Sequence, residues 1–435
     1  FWQKQRARGL QSKPSPEEFE HRAFSVMAGG DFALIKAVEG FEDFTEFGKK
    51  QIGDLGISAR DAVFAITEGG ETSFVIGTAW KGVEVGAKVY FVYNNPDEIL
   101  CKHVKRSREV IEEPRIEKIN LTTGPMSITG STRMQATTIQ LCVMLTVLEM
   151  VLRDLMKELE PQGPCALDSN AVPAEFLRKL TEMHGNLRAP DFRAQLARIV
   201  SLEEGVYRAK HKNNYYADRF GIDVLTDTTE RSPTFCSPPF RKFDDTTATE
   251  SWSFLFLPYA DTPKAWERII KRQPQCVEWT EAEVRALVSE EKVARTYEIV
   301  RKISAAELMR FKVGLDGLAH RPLRPGDSAV AILSETEKAA LLAEDGFYRR
   351  QLEAAKKAGA RTGLIYVGRA ETFPEIRDFA ARWNPEGVLV LAAVAATDFL
   401  LDGVTRAGLK MLLNALSTCT MVRLGRVMGN YMIWV

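Results

Sequence analysis

A five-residue apolar run, Ala62 to Ile66, empties into the glycine-rich turn EGGETS and then directly into helical patterning, FVIGTAWKGVEVGA. A buried strand that meets a helix through so short a turn restricts the fold more than any bulk property does. The next apolar run, KVYFVYNN, follows the helix just as closely. Strands that alternate with helices over short connections specify βαβ units and a parallel sheet. The pattern returns once. DAVFAITEGGET at 61–72 resembles DSAVAILSETEK at 327–338, and GAKVYFVY at 86–93 echoes GARTGLIYV at 359–367. A chain of 435 residues exceeds one ordinary core. The expectation is α/β: two αβα lobes with mostly parallel sheets, arranged as an internal pseudo-dimer.

Other elements emerge from the same periodicities. FSVMAGG, at 24–30, reads as a strand, and the positions from Leu34 to Thr45 recur at helical spacing. A long apolar helix runs from about Arg133 to Leu159 and stops at PQGP, 161–164. In the second half, strands are expected at Val206–Arg208, Ile222–Leu225, Ser253–Leu257, Val277–Trp279, Ser328–Leu333, Thr362–Val367 and Val388–Val394. Helical patterning is strong from Lys292 to Met309. The expected division is a first lobe at 1–160, connecting helices at 161–200 and a second lobe at 201–435.

Composition removes several function classes. Lys plus Arg equals Asp plus Glu at 58 each, so no net charge draws the chain to nucleic acid or to a membrane. The longest apolar run, Val388 to Ala396, is too short to span a bilayer, and the first residues carry no signal-peptide core. The cysteines at 101, 142, 165, 236, 276 and 419 show no CxxC pair, which fits a reducing, cytoplasmic setting and supports no zinc site. No metal or organic cofactor is expected. No P-loop, dinucleotide-binding GxGxxG or Ser-His-Asp arrangement is present.

In open parallel sheets, ligands sit beyond the carboxyl ends of the strands. Two loops there invite reading. In TEGGETS, 67–73, Thr67, Thr72 and Ser73 supply hydroxyls at a helix start, and a turn with an N-cap explains them equally well. In SITGSTRM, 127–134, Ser127, Thr129, Ser131 and Thr132 crowd one loop. Four hydroxyls beside a glycine suit an anion cradle, although one or two would serve as an N-cap. Glu42 in AVEGFED and Glu230 in DTTERSPTF are candidate acid–base groups, but pattern alone also allows solvated surface acids.

Four strings carry a family resemblance: AGGDFALIKAVEGFED, SARDAVFAITEGGETSFVIG, TGPMSITGSTRM and NALSTCTMVRLGRVMGN. They resemble the sugar-isomerase (SIS) fold proteins, and within these the N-acetylmuramic acid 6-phosphate etherases and the glucokinase regulatory proteins. The likeness covers most of 20–160, returns at 222–240 and 405–432, and is one of layout alone over 241–400. It implies a phosphorylated-sugar site and, on the etherase side, lyase chemistry: a carboxylate takes a sugar proton, the lactyl ether leaves and water adds. The etherase acids fall by motif on Glu42 and Glu230. The regulatory-protein contacts fall on Glu42, Thr67, Ser131, Thr132, Glu230 and Lys410 of GLKMLLN. That side implies a non-catalytic sugar-phosphate sensor with a protein partner, and a sugar-phosphate isomerase is the third reading. The chain would act as a monomeric pseudo-dimer or as a homodimer. Three positions depart from the etherase pattern: Gly69 stands for a serine, Glu71 for an arginine and Gln135 for a lysine. The resemblance also places a first strand and phosphate loop before Phe1.

Overall fold

The computed structural model describes residues 1–161 and 168–433. Two separate parallel sheets organise it. The first has three strands, β1 (Ala62–Ile66), β2 (Lys88–Tyr93) and β3 (Ile116–Asn120), in the order β1-β2-β3. The second has five: β4 (Asn213–Tyr216), β5 (Ser253–Phe256), β6 (Ser328–Ser334), β7 (Arg361–Gly368) and β8 (Val388–Ala393). Their order is β5-β4-β6-β7-β8 and every pairing is parallel. The α/β reading with two parallel-sheet lobes therefore stands.

Six helices frame the loops at the sheet ends and the seam between the sheets: α1 (Ser73–Glu84), α2 (Ala136–Leu159), α3 (Val172–Arg188), α4 (Pro190–Arg208), α5 (Gly221–Phe235) and α6 (Gly403–Arg423). The sequence repeat maps onto equivalent places. The Asp61 carbonyl accepts from Lys88 N–H at 3.0 Å, and the Asp327 carbonyl accepts from Arg361 N–H at 2.9 Å. In both lobes the aspartate before one strand thus fixes the start of the next. The lobes differ in width. β6 lies between β4 and β7 and is buried at every position, so it reads as an unbroken apolar run. β1 is an edge strand, and its burial alternates.

Several expected elements differ. Residues 24–30 form no strand; instead Gly30 makes an isolated antiparallel bridge to Cys276, and Asp31 pairs with Arg272. The Leu34–Thr45 periodicity yields only a 3-10 turn, Asp31–Leu34, followed by turns and a helix at Thr45–Gly53. Its apolar residues bury themselves differently: Phe41 and Phe47 pack on Trp279. Trp279 accordingly belongs to no strand, and its indole N–H donates to Asp54. Val206–Arg208 and Ile222–Leu225 are helical, at the end of α4 and the start of α5.

The strand between them, NNYY, is polar in sequence yet buried throughout. Its asparagine oxygens find partners sideways, Asn213 accepting from Ser328 and Asn214 from Arg321, while Asn213 Nδ2 is buried without one among the described residues. The long helix begins at Ala136 rather than Arg133. Most of its PQGP stop lies outside the described residues. Among the described residues no helix is long and apolar enough to cross a membrane.

Candidate functional site

The carboxyl ends of β1 and β2 are tied to α2 by one amide. Gln140 donates to the Thr67 carbonyl at 3.0 Å and to Asn94 Oδ1 at 2.6 Å. The loop 67–73 is therefore fixed from below. Thr67 is buried, and its hydroxyl lies 2.9 Å from that of Thr72. Thr72 occupies the N-cap of α1 but makes no side-chain cap bond. The expected N-cap is thus not formed, and the first turn of α1 takes its partner elsewhere: Phe74 N–H donates to the Glu42 carbonyl at 2.9 Å. Ser73 starts the same turn.

That bond seats Glu42 at the N-terminus of α1, and two glycines make the seat possible. The helix Thr45–Gly53 crosses α1 so closely that a Cβ on Gly48 would lie 1.9 Å from the Phe74 carbonyl oxygen, and one on Gly77 would lie 2.0 Å from that of Thr45. The Glu42 carboxyl is pushed above the ordinary carboxylate range, chiefly by desolvation and then by Glu39, Asp43 and Glu68.

The second loop splits its hydroxyls between two tasks. Ser127 N–H and Oγ both donate to Gln135 Oε1. Thr129 is held by the C-terminal hairpin, β9 (Val427–Met428) and β10 (Tyr431–Met432): its N–H donates to the Asn430 carbonyl at 2.6 Å, and it bridges Tyr431. These two hydroxyl residues build the loop. The Ser131 and Thr132 hydroxyls have no protein partner among the described residues. Gln135, at the position where the etherase pattern has lysine, is the residue that fixes Ser127.

Arg133, at the end of this loop, crosses the seam between the lobes. It is buried, and its Nη2 donates to Asp227 Oδ1 at 2.5 Å and to Ser417 Oγ at 3.2 Å. Asp227 also accepts from Arg231 and Asn414, and Arg231 continues to Glu203 and Tyr215. Desolvation opposes the ionised Asp227, but Arg133, Arg231 and Asn414 outweigh it and hold its carboxyl below the usual range.

Lys410 lies beside this network. Its Nζ donates to the Arg133 carbonyl at 2.6 Å, Thr138 Oγ1 at 2.9 Å and Asn414 Oδ1 at 2.9 Å. Burial, and next the Arg133 charge, bring its ammonium down to about 8. Lys410, Asn414 and Ser417 recur at helical spacing, so α6 presents one polar stripe to the seam.

Glu230 reaches the same place from α5. The stretch read as a strand end and loop is one helix to Phe235, closed by Cys236 at φ 49°. Glu230 is exposed to solvent, although protein crowds round its carboxyl. Desolvation raises its carboxyl, Glu68 and Asp227 add to that, and Arg133 and Lys410 work against it. Glu68 acts on both candidate acids, and no sequence motif singles it out. Its position directly after Thr67, in a strand-end loop, is the one signal that points to it.

The candidate site is thus a seam in a parallel α/β fold, where the loops of the first lobe meet Asp227 and Lys410 and where Glu230 feels the charges of Glu68, Arg133 and Lys410. No family model matches the chain. Its similarity to curated proteins is to N-acetylmuramic acid 6-phosphate etherases. It is 36% identical over 129 residues to that of Clostridioides difficile, covering 29% of this chain and 39% of the relative. It is 37% identical over 118 residues to that of Thermosynechococcus vestitus, covering 27% and 35%. With the enzyme of Francisella tularensis subsp. holarctica it shares 32% over 143 residues, covering 31% and 45%. The chain thus spans less than half the length of these relatives. Among the described residues no group of three metal-ligating side chains is assembled.

Proposed function

We propose that this interlobe seam binds a phosphorylated amino sugar and eliminates its lactyl ether. What supports this reading most is Glu68 of the first strand-end loop, whose charge acts on both Glu42 and Glu230, beside a second loop in which the Ser131 and Thr132 hydroxyls have no protein partner among the described residues. In this reading the phosphate lies against Ser131, Thr132 and the first turn of α1, whose N–H groups and dipole favour an anion. One glutamate, ionised, removes the proton next to the ether-bearing carbon. The other, in its protonated form, donates to the departing oxygen, and water then adds to the double bond. Lys410 and Arg133 supply positive charge behind the loop. The lobes divide at 1–160 and 201–435, with 161–200 connecting them.

The test is D-lactate release from N-acetylmuramic acid 6-phosphate. Glu42→Gln and Glu230→Gln should each reduce it by at least 10²-fold. In D2O, the variant that still exchanges the substrate proton has lost the acid and kept the base. A folded wild-type protein that binds the compound and releases no lactate overturns the lyase reading.

A second reading rests on the placement of both glutamates in one chain and on Glu71, which stands where the etherase pattern has arginine. A single chain that completes its own site suits a sugar-phosphate sensor with a protein partner, as the resemblance to glucokinase regulatory proteins implies. Fructose phosphates that raise the melting temperature without turnover would favour it.

A further inference from the structure

At the opposite ends of the second sheet, where β7 and β8 begin, lies a cleft of about 720 Å³ between those strands and α4. This volume falls in the range of small-molecule sites. It is remote from the interlobe seam, which uses the carboxyl ends of the strands in the first lobe. One face of α4 forms its wall: Arg198, Ser201 and Leu202 line it. Gly205 follows at the next helical repeat.

Arg361, the first residue of β7, lays its guanidinium against α4 at that glycine. A Cβ on Gly205 would meet Arg361 Nη1 at 3.2 Å and Nη2 at 3.4 Å. Gly205 therefore leaves the room that sets the guanidinium in place. Neither Arg198 nor Arg361 has a side-chain hydrogen bond or ion pair among the described residues. The floor is closed by Thr362 and Asn384, which bond each other at 2.8 Å. Leu202, Ala360 and Val388 add apolar wall. The lining holds three cations, Arg198, Lys356 and Arg361, against one carboxylate, Glu386, so the field inside favours an anion. Lys356 is already turned to the Trp383 carbonyl.

We propose that this cleft binds a small organic anion, with a phosphate or carboxylate head on Arg361 and Arg198 and an apolar body against Leu202, Ala360 and Val388. Planar guanidiniums suit either head group, because each can donate two parallel N–H bonds to it.

The test titrates the full chain with phenyl phosphate, benzoate and inorganic phosphate while following the backbone amides of Ala360, Thr362 and Val388 by NMR. Saturable shifts are expected with an aromatic anion, at least tenfold tighter than with inorganic phosphate. Arg361→Ala and Arg198→Ala should each weaken binding tenfold or more, and both positions are exposed enough for the variants to fold. Phenyl phosphate binding tighter than benzoate assigns the site to phosphates, and the reverse order assigns it to carboxylates. Ser131→Ala in the interlobe seam should leave these shifts intact. No saturable shift, shifts indifferent to both arginine variants, or shifts lost with Ser131→Ala would overturn the proposal.

Discussion

Asp227 accepts from Arg133, Arg231, Asn414 and Ser417, and so joins the loop of one lobe to two helices of the other. Removing its charge would leave the buried Arg133 guanidinium without its ion-pair partner and Arg231 with Glu203 alone. Breaking a buried pair in this way costs about 3–5 kcal/mol. Asp227→Asn should therefore lower the urea midpoint sharply, with Ser417→Ala far milder. The pH dependence has a definite sign. The Asp227 carboxyl is held below its ordinary value in the folded protein. Its stabilising contribution is therefore full above the ordinary carboxylate pKa and fades as pH falls through the lowered one. Wild-type stability should drop on acidification below about pH 4, and the aspartate-to-asparagine variant should show a smaller drop, because other carboxylates held low, such as Glu250 and Glu307, keep their share. None of this was legible in sequence. Asp227 sits three residues before Glu230 in a stretch whose apolar residues read as a strand. Its partners come from Arg133, almost a hundred residues earlier, and from Asn414, almost two hundred later.

At the scale of elements, runs buried on both faces were the readable ones. β6, β7 and β8 were placed within a residue or two because continuous apolar sequence leaves little alternative. The repeat also led to the loops that leave the strand ends. Segments whose burial depends on a distant partner misled: Val277–Trp279 looks like a strand until Phe41 and Phe47 are known to cover the indole, and NNYY, half polar, was not among the expected strands although Ser328 and Arg321 donate to its asparagines. The crossing of Thr45–Gly53 over α1 carries a prediction. A methyl at Gly77 cannot fit at 2.0 Å from a carbonyl oxygen, so Gly77→Ala must push the helices apart. Overpacking of this kind costs about 1–3 kcal/mol. Because the same crossing seats Glu42, lactate release should fall at least tenfold with the fold retained by circular dichroism. Unchanged turnover would mean that Glu42 does not depend on the crossing.

For the whole molecule, the first sheet keeps a core of its own, with Val63, Ala65, Val89, Phe91 and Ile116, while the segment before it and Phe74 of α1 share the core of the second. Phe32, Ile35, Phe41, Phe47 and Phe74 belong to the same buried cluster as Trp279, Phe311 and the second sheet. With the Arg133–Asp227 seam added, calorimetry should show one cooperative transition, and two well-resolved transitions would contradict a shared core. The lobes are not equal as binding surfaces. In the second lobe, the loop corresponding to 67–72 is filled by its own acid: Glu337 accepts from Ser334, Arg219 N–H and Tyr348. An anion arriving there would meet a carboxylate, which leaves the first lobe's loops as the open pair.

The packing of Phe41 and Phe47 on Trp279 also sets a timetable. The tryptophan comes after Phe47 by roughly 230 residues. At typical translation speeds that is a wait of about 10–50 s. Over that interval Phe41 and Phe47 have one another, Phe44 and Phe74 to pack against, but not the indole that covers them. The segment that carries one candidate acid is made long before the residue that completes its packing.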